Sequence, residues 1–188
     1  MRLLALFVLA SAITPLFGAA VVLQNATATF SQTCCGIFPV SAAINGSFGL
    51  DGWAIFDGSQ ATAQTAAFET QTDVGFGGGT DFAFTLYVIY GESSHTLGRF
   101  RLAVTTDDRS TFADGLSTGG DVTATWTLLT PTFVFATNGA ILTVQGDNSV
   151  LASGPNPETS VYTVNASTSL TGITGIRLEA MEDGFRQL

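Results

Sequence analysis

The sequence predicts an all-β protein, a β-sandwich of jelly-roll type. Apolar residues recur at every second position in run after run, and Gly, Asn and Asp punctuate the joins between runs. After the N-terminal twenty residues no segment holds a helical period for three turns, and Thr is abundant where helix formers would be needed.

The elements follow in chain order. Arg2 precedes the apolar run LLALFVLASAITPLF, and Gly18-Ala19-Ala20 closes it with small residues. A charged start, an apolar centre and a small-residue cleavage site make residues 1–20 a secretory signal peptide. A membrane-spanning or buried helix fits less well, because the run is short and Pro15 interrupts it. The mature chain then starts near Val21, and residues 21–184 are read as one domain, a size that buries a sizeable core.

Strands are expected at Leu23–Phe30 and Thr65–Thr70. In Asp81–Tyr90, Phe82, Phe84, Leu86, Val88 and Tyr90 share one face, while Tyr87 and Ile89 make the other face apolar too, the mark of a central strand. In Arg99–Thr106, Phe100, Leu102 and Val104 point inward and Arg99, Arg101 and Thr105 outward. Val122, Ala124, Trp126 and Leu128 form a further stripe, placing Trp126 in the core. Ala140–Val144, Val161–Ala166 and Ile173–Met181 complete the set. The polar stretch Asp107–Gly120 reads as a long loop in the same domain.

Composition narrows the partners. The formal charge is −9, charged residues make up 11% of the chain, and there is no Lys. Such a surface suits neither nucleic acid nor an anionic membrane; its acidity keeps an exported protein soluble. After signal cleavage no segment is apolar enough to span a membrane. Cys34 and Cys35 are adjacent, which disfavours a mutual bridge and leaves small, half-buried residues as the plainer reading.

Catalytic patterns are absent. His95 is the only histidine and no G-x-S-x-G elbow accompanies it. Asp51, Asp57, Glu69, Glu92, Asp107 and Asp108 are carboxylates with no spacing that singles out a glycosidase pair. GFGGGT at 75–80 lacks the Lys of a phosphate loop. The expectation is a protein that is not an enzyme and needs no cofactor.

Two binding readings remain. Calcium takes carboxylate, amide and main-chain oxygens, which Asn45, Asp51 and Asp57 offer in one loop and Asp107, Asp108, Asp114 and Asp121 in another. Of these Asp51, Asp107 and Asp108 are the weak calcium candidates, with turn chemistry favoured over metal. Sugar recognition needs an aromatic face for the C–H side of the ring and planar polar groups for its hydroxyls. Trp53 in the loop AINGSFGLDGWAIFDG (43–58), with Asn45, Asp51, Asp57, His95, Arg99 and Arg101, is the candidate set.

ATATFSQ (26–32), the loop just quoted, AAFET (66–70), HTLGRFRLAVTTDD (95–108), DNSVLASGPNPETSVYTV (147–164) and LTGITGIRLEAMEDG (170–184) carry a family likeness. Over almost the whole mature chain they resemble a galactose-binding-like, discoidin-type jelly-roll domain of bacterial secreted and cell-surface proteins. The resemblance implies a non-catalytic module that binds glycans or surface components, and makes Trp53 a core residue before a ligand residue. It also implies a further closing strand after Glu182-Asp183-Gly184, where this sequence reads Phe185-Arg186-Gln187-Leu188. An unpaired sheet edge is then expected, open to self-association. A structural or matrix protein that packs with its own kind is the alternative reading.

Overall fold

The computed structural model describes residues 4–11, 18–49, 51–58, 62–90 and 95–182, the first of these segments by its backbone alone. The tail 185–188 and Glu92 lie outside the described residues.

The described residues form two antiparallel sheets packed into a β-sandwich, as the alternation predicts. The first sheet has the order β2-β1-β5-β11-β8, built from β1 (Leu4–Ser11), β2 (Ala19–Val21), β5 (Thr80–Ile89), β8 (Pro131–Ala136) and β11 (Thr159–Thr168). The second runs β3-β4-β12-β6-β10-β9, from β3 (Leu23–Ala28), β4 (Gln64–Val74), β6 (Arg99–Thr105), β9 (Ile141–Val144), β10 (Val150–Ser153) and β12 (Ile173–Met181). A two-residue strand β7 (Thr127–Leu128) pairs with β6 off that path.

The core lies between the sheets because period two puts alternate side chains on one face. Phe82, Phe84, Leu86 and Val88 of β5 are buried, with Tyr162 and Val164 of β11 beside them. Phe100, Leu102 and Val104 of β6 and Ile176 and Leu178 of β12 close the core from the second sheet. Each such side chain contributes about 1.5–3 kcal/mol relative to exposure. The Tyr162 hydroxyl, buried in this stack, donates to the Leu97 carbonyl at 3.3 Å.

Several elements differ from expectation. Leu4–Ser11, read as part of a leader, forms a strand in this chain, antiparallel to β5 from Leu4 opposite Val88 to Ser11 opposite Asp81. β8 and β10 are additional to the strands that alternation marks. The stripe at Val122–Trp126 keeps its alternation of burial, but only Thr127–Leu128 pairs as strand. Trp126 is half-buried, outside the main core, packed edge-on to Phe112 with ring centroids 5.5 Å apart. Its Nε1 donates to the Val122 carbonyl at 2.9 Å.

That small cluster explains a second difference: Thr105, expected outside, is buried under the 107–128 segment. Gly175 makes the close approach available, since a Cβ there would stand 2.5 Å from the Phe112 ring. Sequence periodicity reads a strand's two faces correctly, yet it cannot see a loop folded over the outer one.

Candidate functional site

The loop 43–58 is held by its own side chains. A 3-10 turn over Val40–Ile44 delivers the chain to Asn45. The Asn45 side chain accepts from the Ser47 N–H at 2.7 Å and donates to one Asp51 oxygen at 2.7 Å; Ser47 Oγ donates to the other at 2.7 Å. These donors, Ser47 first and Asn45 next, hold the Asp51 carboxyl below its ordinary range. Its oxygens are committed to closing the turn.

Trp53 is a core residue. It is 2% exposed, and Nε1 donates to the Phe30 carbonyl at 3.0 Å. It is not a platform for a ligand, because both ring faces are packed inside the sandwich. The aromatic that this loop does expose is Phe48, whose ring lies 4.3 Å from that of Tyr87 on β5.

The other expected residues lie apart. Arg99 donates from Nε to Ser149 Oγ at 2.9 Å and pairs with Asp147 at 2.8 Å. Arg101 pairs with Glu179 at 2.6 Å, and Arg177 holds the second oxygen of Glu179 at 2.5 Å. Arg99 and Arg101 belong to the second sheet and serve charges on a neighbouring strand and turn. His95 sits against Tyr90, ring centroids 5.0 Å apart. Asp57 is exposed at the far end of the loop, near Cys34. Of the seven residues, Asn45 and Asp51 bond each other, while Trp53, His95, Arg99 and Arg101 contact other partners.

The carboxylates expected for calcium have turn duties. Asp107 accepts the Thr125 N–H at 2.7 Å. Asp108 accepts the N–H and Oγ of Ser110 at 2.9 and 2.6 Å, which lowers its pKa. Asp114 accepts from the N–H groups of Leu116 and Asp121, and Asp121 from both donors of Thr123. Among the described residues no three His, Cys, Asp or Glu side chains gather as a metal group. Glu69, a candidate acid, is 7% exposed, and the amides of Gln24 and Asn25 bond its two oxygens at 3.0 Å.

A better-shaped site lies on the outer face of the first sheet. Odd-numbered residues of β5 and β11 face outward there, as the burial alternation requires. β8 pairs with β11 in the register Thr163 opposite Phe135 and Asn165 opposite Phe133. Then the ladder slips: Ala166 stands opposite Pro131, so Thr132 is the extra residue of a bulge.

The slip opens a groove of about 290 Å³, lined by Asp81, Ala83, Thr132, Asn165 and Ser167. Ser167 Oγ donates to Asp81 at 2.6 Å, and Thr132 Oγ1 to the Asn165 carbonyl at 3.2 Å. Asn165 Oδ1 is buried in this wall without a hydrogen-bond partner among the described residues. A buried amide oxygen left unpaired costs free energy, and such groups mark places where a ligand or water completes the set.

Phe133, opposite Asn165 in the ladder, and Phe135, opposite Thr163, are 51% and 54% exposed. Two large rings held open on one strand are unusual for a solvated face. The sequence hides β8 because Pro131 sits at its start and the run TPTFVFAT is apolar on both faces. Proline is tolerated at the first residue of an edge strand, and this strand is an edge. The Phe-x-Phe spacing is the signal that could have found it.

No protein-family model matches the chain, and neither a curated protein nor a solved structure matches it.

Proposed function

We propose that this is an exported, non-catalytic module that binds carbohydrate or a cell-surface component through the outer face of its first sheet. The observation that carries the reading is the groove at the β8 bulge: an amide oxygen at Asn165 with no partner among the described residues, and hydroxyl and carboxylate groups from Thr132, Ser167 and Asp81, with the exposed Phe133 opposite Asn165 in the ladder. A pyranose presents a C–H face and an edge of hydroxyls. The ring takes the former and the polar wall takes the latter, the mixed apolar and convergent polar character common to small-ligand sites.

The β-sandwich is compatible with the galactose-binding-like jelly roll that the sequence resembles, and the N-terminal leader pattern supports export. The reading places no catalytic step: Asp51, Asp107 and Asp108 accept hydrogen bonds within turns, and Glu69 is bonded by two amides. An array of neutral and acidic oligosaccharides probed with the folded protein tests it, followed by calorimetry on the strongest hit. Binding that falls at least about tenfold in Phe133→Ala supports the reading. An array without any signal at high protein concentration overturns it.

A second reading, a matrix protein that self-associates, is favoured by one feature. β8 is a sheet edge carrying two exposed phenylalanines and no charge. Concentration-dependent light scattering that sugars leave unchanged would select it.

A further inference from the structure

β5 is bonded on both sides, by β11 on one edge and by Leu4–Ser11 on the other. The strand that covers the second edge is the same segment that reads as a cleavable leader. We propose that β5 is a strand-accepting edge, filled by Leu4–Ser11 in the unprocessed chain and by β5 of a second copy once the leader is removed. The inference rests on the export reading given above, and not on the glycan reading.

The eight-residue register from Leu4 opposite Val88 to Ser11 opposite Asp81 establishes what this edge takes: an extended antiparallel strand of mostly apolar residues. Losing it uncovers the main-chain groups of β5 and the flank of a core that includes Phe82, Phe84, Leu86 and Val88, all at most 1% exposed. An open edge of this length with apolar residues on both faces seeks another strand.

β5 is suited to pair with itself. Register parity matters, because a one-residue slip sends core side chains to the wrong face. A twofold axis through Thr85 preserves parity: Phe84 meets Leu86 of the second copy, Phe82 meets Val88, and Ala83 meets Tyr87. Aromatic residues then stand opposite aliphatic ones on the core side, and Thr85 opposes its own copy, both favourable cross-strand pairs. Asp81, the only charged residue of β5, falls opposite Ile89, so no like charges face each other. The result is one continuous sheet through two sandwiches, an isologous dimer.

The full-length chain carrying Cys34→Ser, Cys35→Ser and Thr85→Cys provides the test. It is made in a host that exports it and, separately, with export blocked, and both products are purified reduced and then oxidised alike by dissolved oxygen, which takes up the two electrons of each bridge. Opposed residues in an antiparallel pair stand about 4.5–5.5 Å apart at Cα, within disulfide reach.

The exported product, shown by mass spectrometry to begin near Val21, is expected to form a covalent dimer through the thiol introduced at position 85. The retained chain is expected to form on the order of tenfold less, because Leu4–Ser11 occupies the edge. Adding Phe7→Cys to the retained chain should give an intrachain bridge between the two introduced thiols, since the structure pairs Phe7 with Thr85. The unsubstituted exported protein, with Thr85 in place, should sediment at dimer mass.

A folded, processed product that stays monomeric by sedimentation and forms no bridge through position 85 overturns the proposal. So does an exported product that keeps residues 4–11, or a processed chain without β-sheet signal in circular dichroism. Glycan binding that fails while the dimer forms would count against the earlier reading alone.

Discussion

The indole nitrogen of Trp53 donates to the main-chain oxygen of Phe30 at 3.0 Å, tying the 43–58 loop to the strand end after β3. The pairing makes Trp53 a structural anchor. Trp53→Ala is expected to cost about 3–5 kcal/mol by cavity formation. Trp53→Phe keeps much of the packing and loses about 1–3 kcal/mol by leaving the Phe30 oxygen without its donor. Urea unfolding of both variants measures the two costs, and a neutral result for Trp53→Ala would refute the anchor.

Glu179 stands between two cations, Arg101 at 2.6 Å and Arg177 at 2.5 Å, with the Arg177 guanidinium 5.1 Å from the centre of the Trp126 ring. Burial draws the Arg177 pKa down, Glu179 opposes that shift, and Arg101 adds to it. Glu179→Gln leaves two half-buried guanidinium groups facing each other without a counter-charge. We expect a loss of about 1–3 kcal/mol in urea unfolding at low salt, smaller at 1 M salt where screening weakens the repulsion.

Acid should unfold the protein through its turns. Asp51, Asp108, Asp121 and Asp147 are held below their ordinary range chiefly by hydroxyl donors, from Ser47, Ser110, Thr123 and Ser149 in that order. A carboxyl whose folded pKa is depressed stabilises the fold above its unfolded value, and that contribution is lost as pH falls through the folded value. The thermal midpoint is therefore expected to hold between pH 7 and 5 and to fall below about pH 4. Ser149→Ala should lower the neutral-pH midpoint and shrink the acid-induced drop.

The adjacent cysteines should behave differently. Cys35 is exposed with a left-handed φ of +58°, whereas Cys34 is half-buried with its Sγ 3.6 Å from the Phe56 carbonyl. Partial burial first, then the neighbouring Cys35 thiol, pushes the Cys34 pKa up. A maleimide reagent at neutral pH should label Cys35 several-fold faster, because the thiolate is the reactive form. Equal rates by peptide mass mapping would contradict this.

The sandwich was legible because β5 and β11 alternate along nearly their whole length, and β6 and β12 do so over Arg99–Leu102 and Ile176–Met181, so period two assigns those faces. Trp53 is buried in the core, as expected from the sequence, though its Phe30 partner was not legible there. The arginines misled because Asp147 and Glu179, which hold Arg99 and Arg101, lie 48 and 78 residues away. The groove was illegible for a related reason. Asp81, Thr132 and Asn165 come from three strands, and their meeting depends on a slip of register that leaves no mark in composition. Phe133 and Phe135 were visible as a pattern but not as a surface, since exposure follows from the edge position of β8.

Affinity decides whether ligand meets the outer face of the first sheet or the 43–58 loop. The strongest oligosaccharide from the array is titrated into wild-type protein, Phe133→Ala and Asn45→Ala, each verified as folded. We predict that Phe133→Ala weakens binding at least about tenfold, some 1.4 kcal/mol, with little loss of stability because the ring is half in solvent. Asn45→Ala should loosen the loop yet leave affinity within about twofold. Full affinity in Phe133→Ala with loss in Asn45→Ala would contradict the account and return the site to the loop.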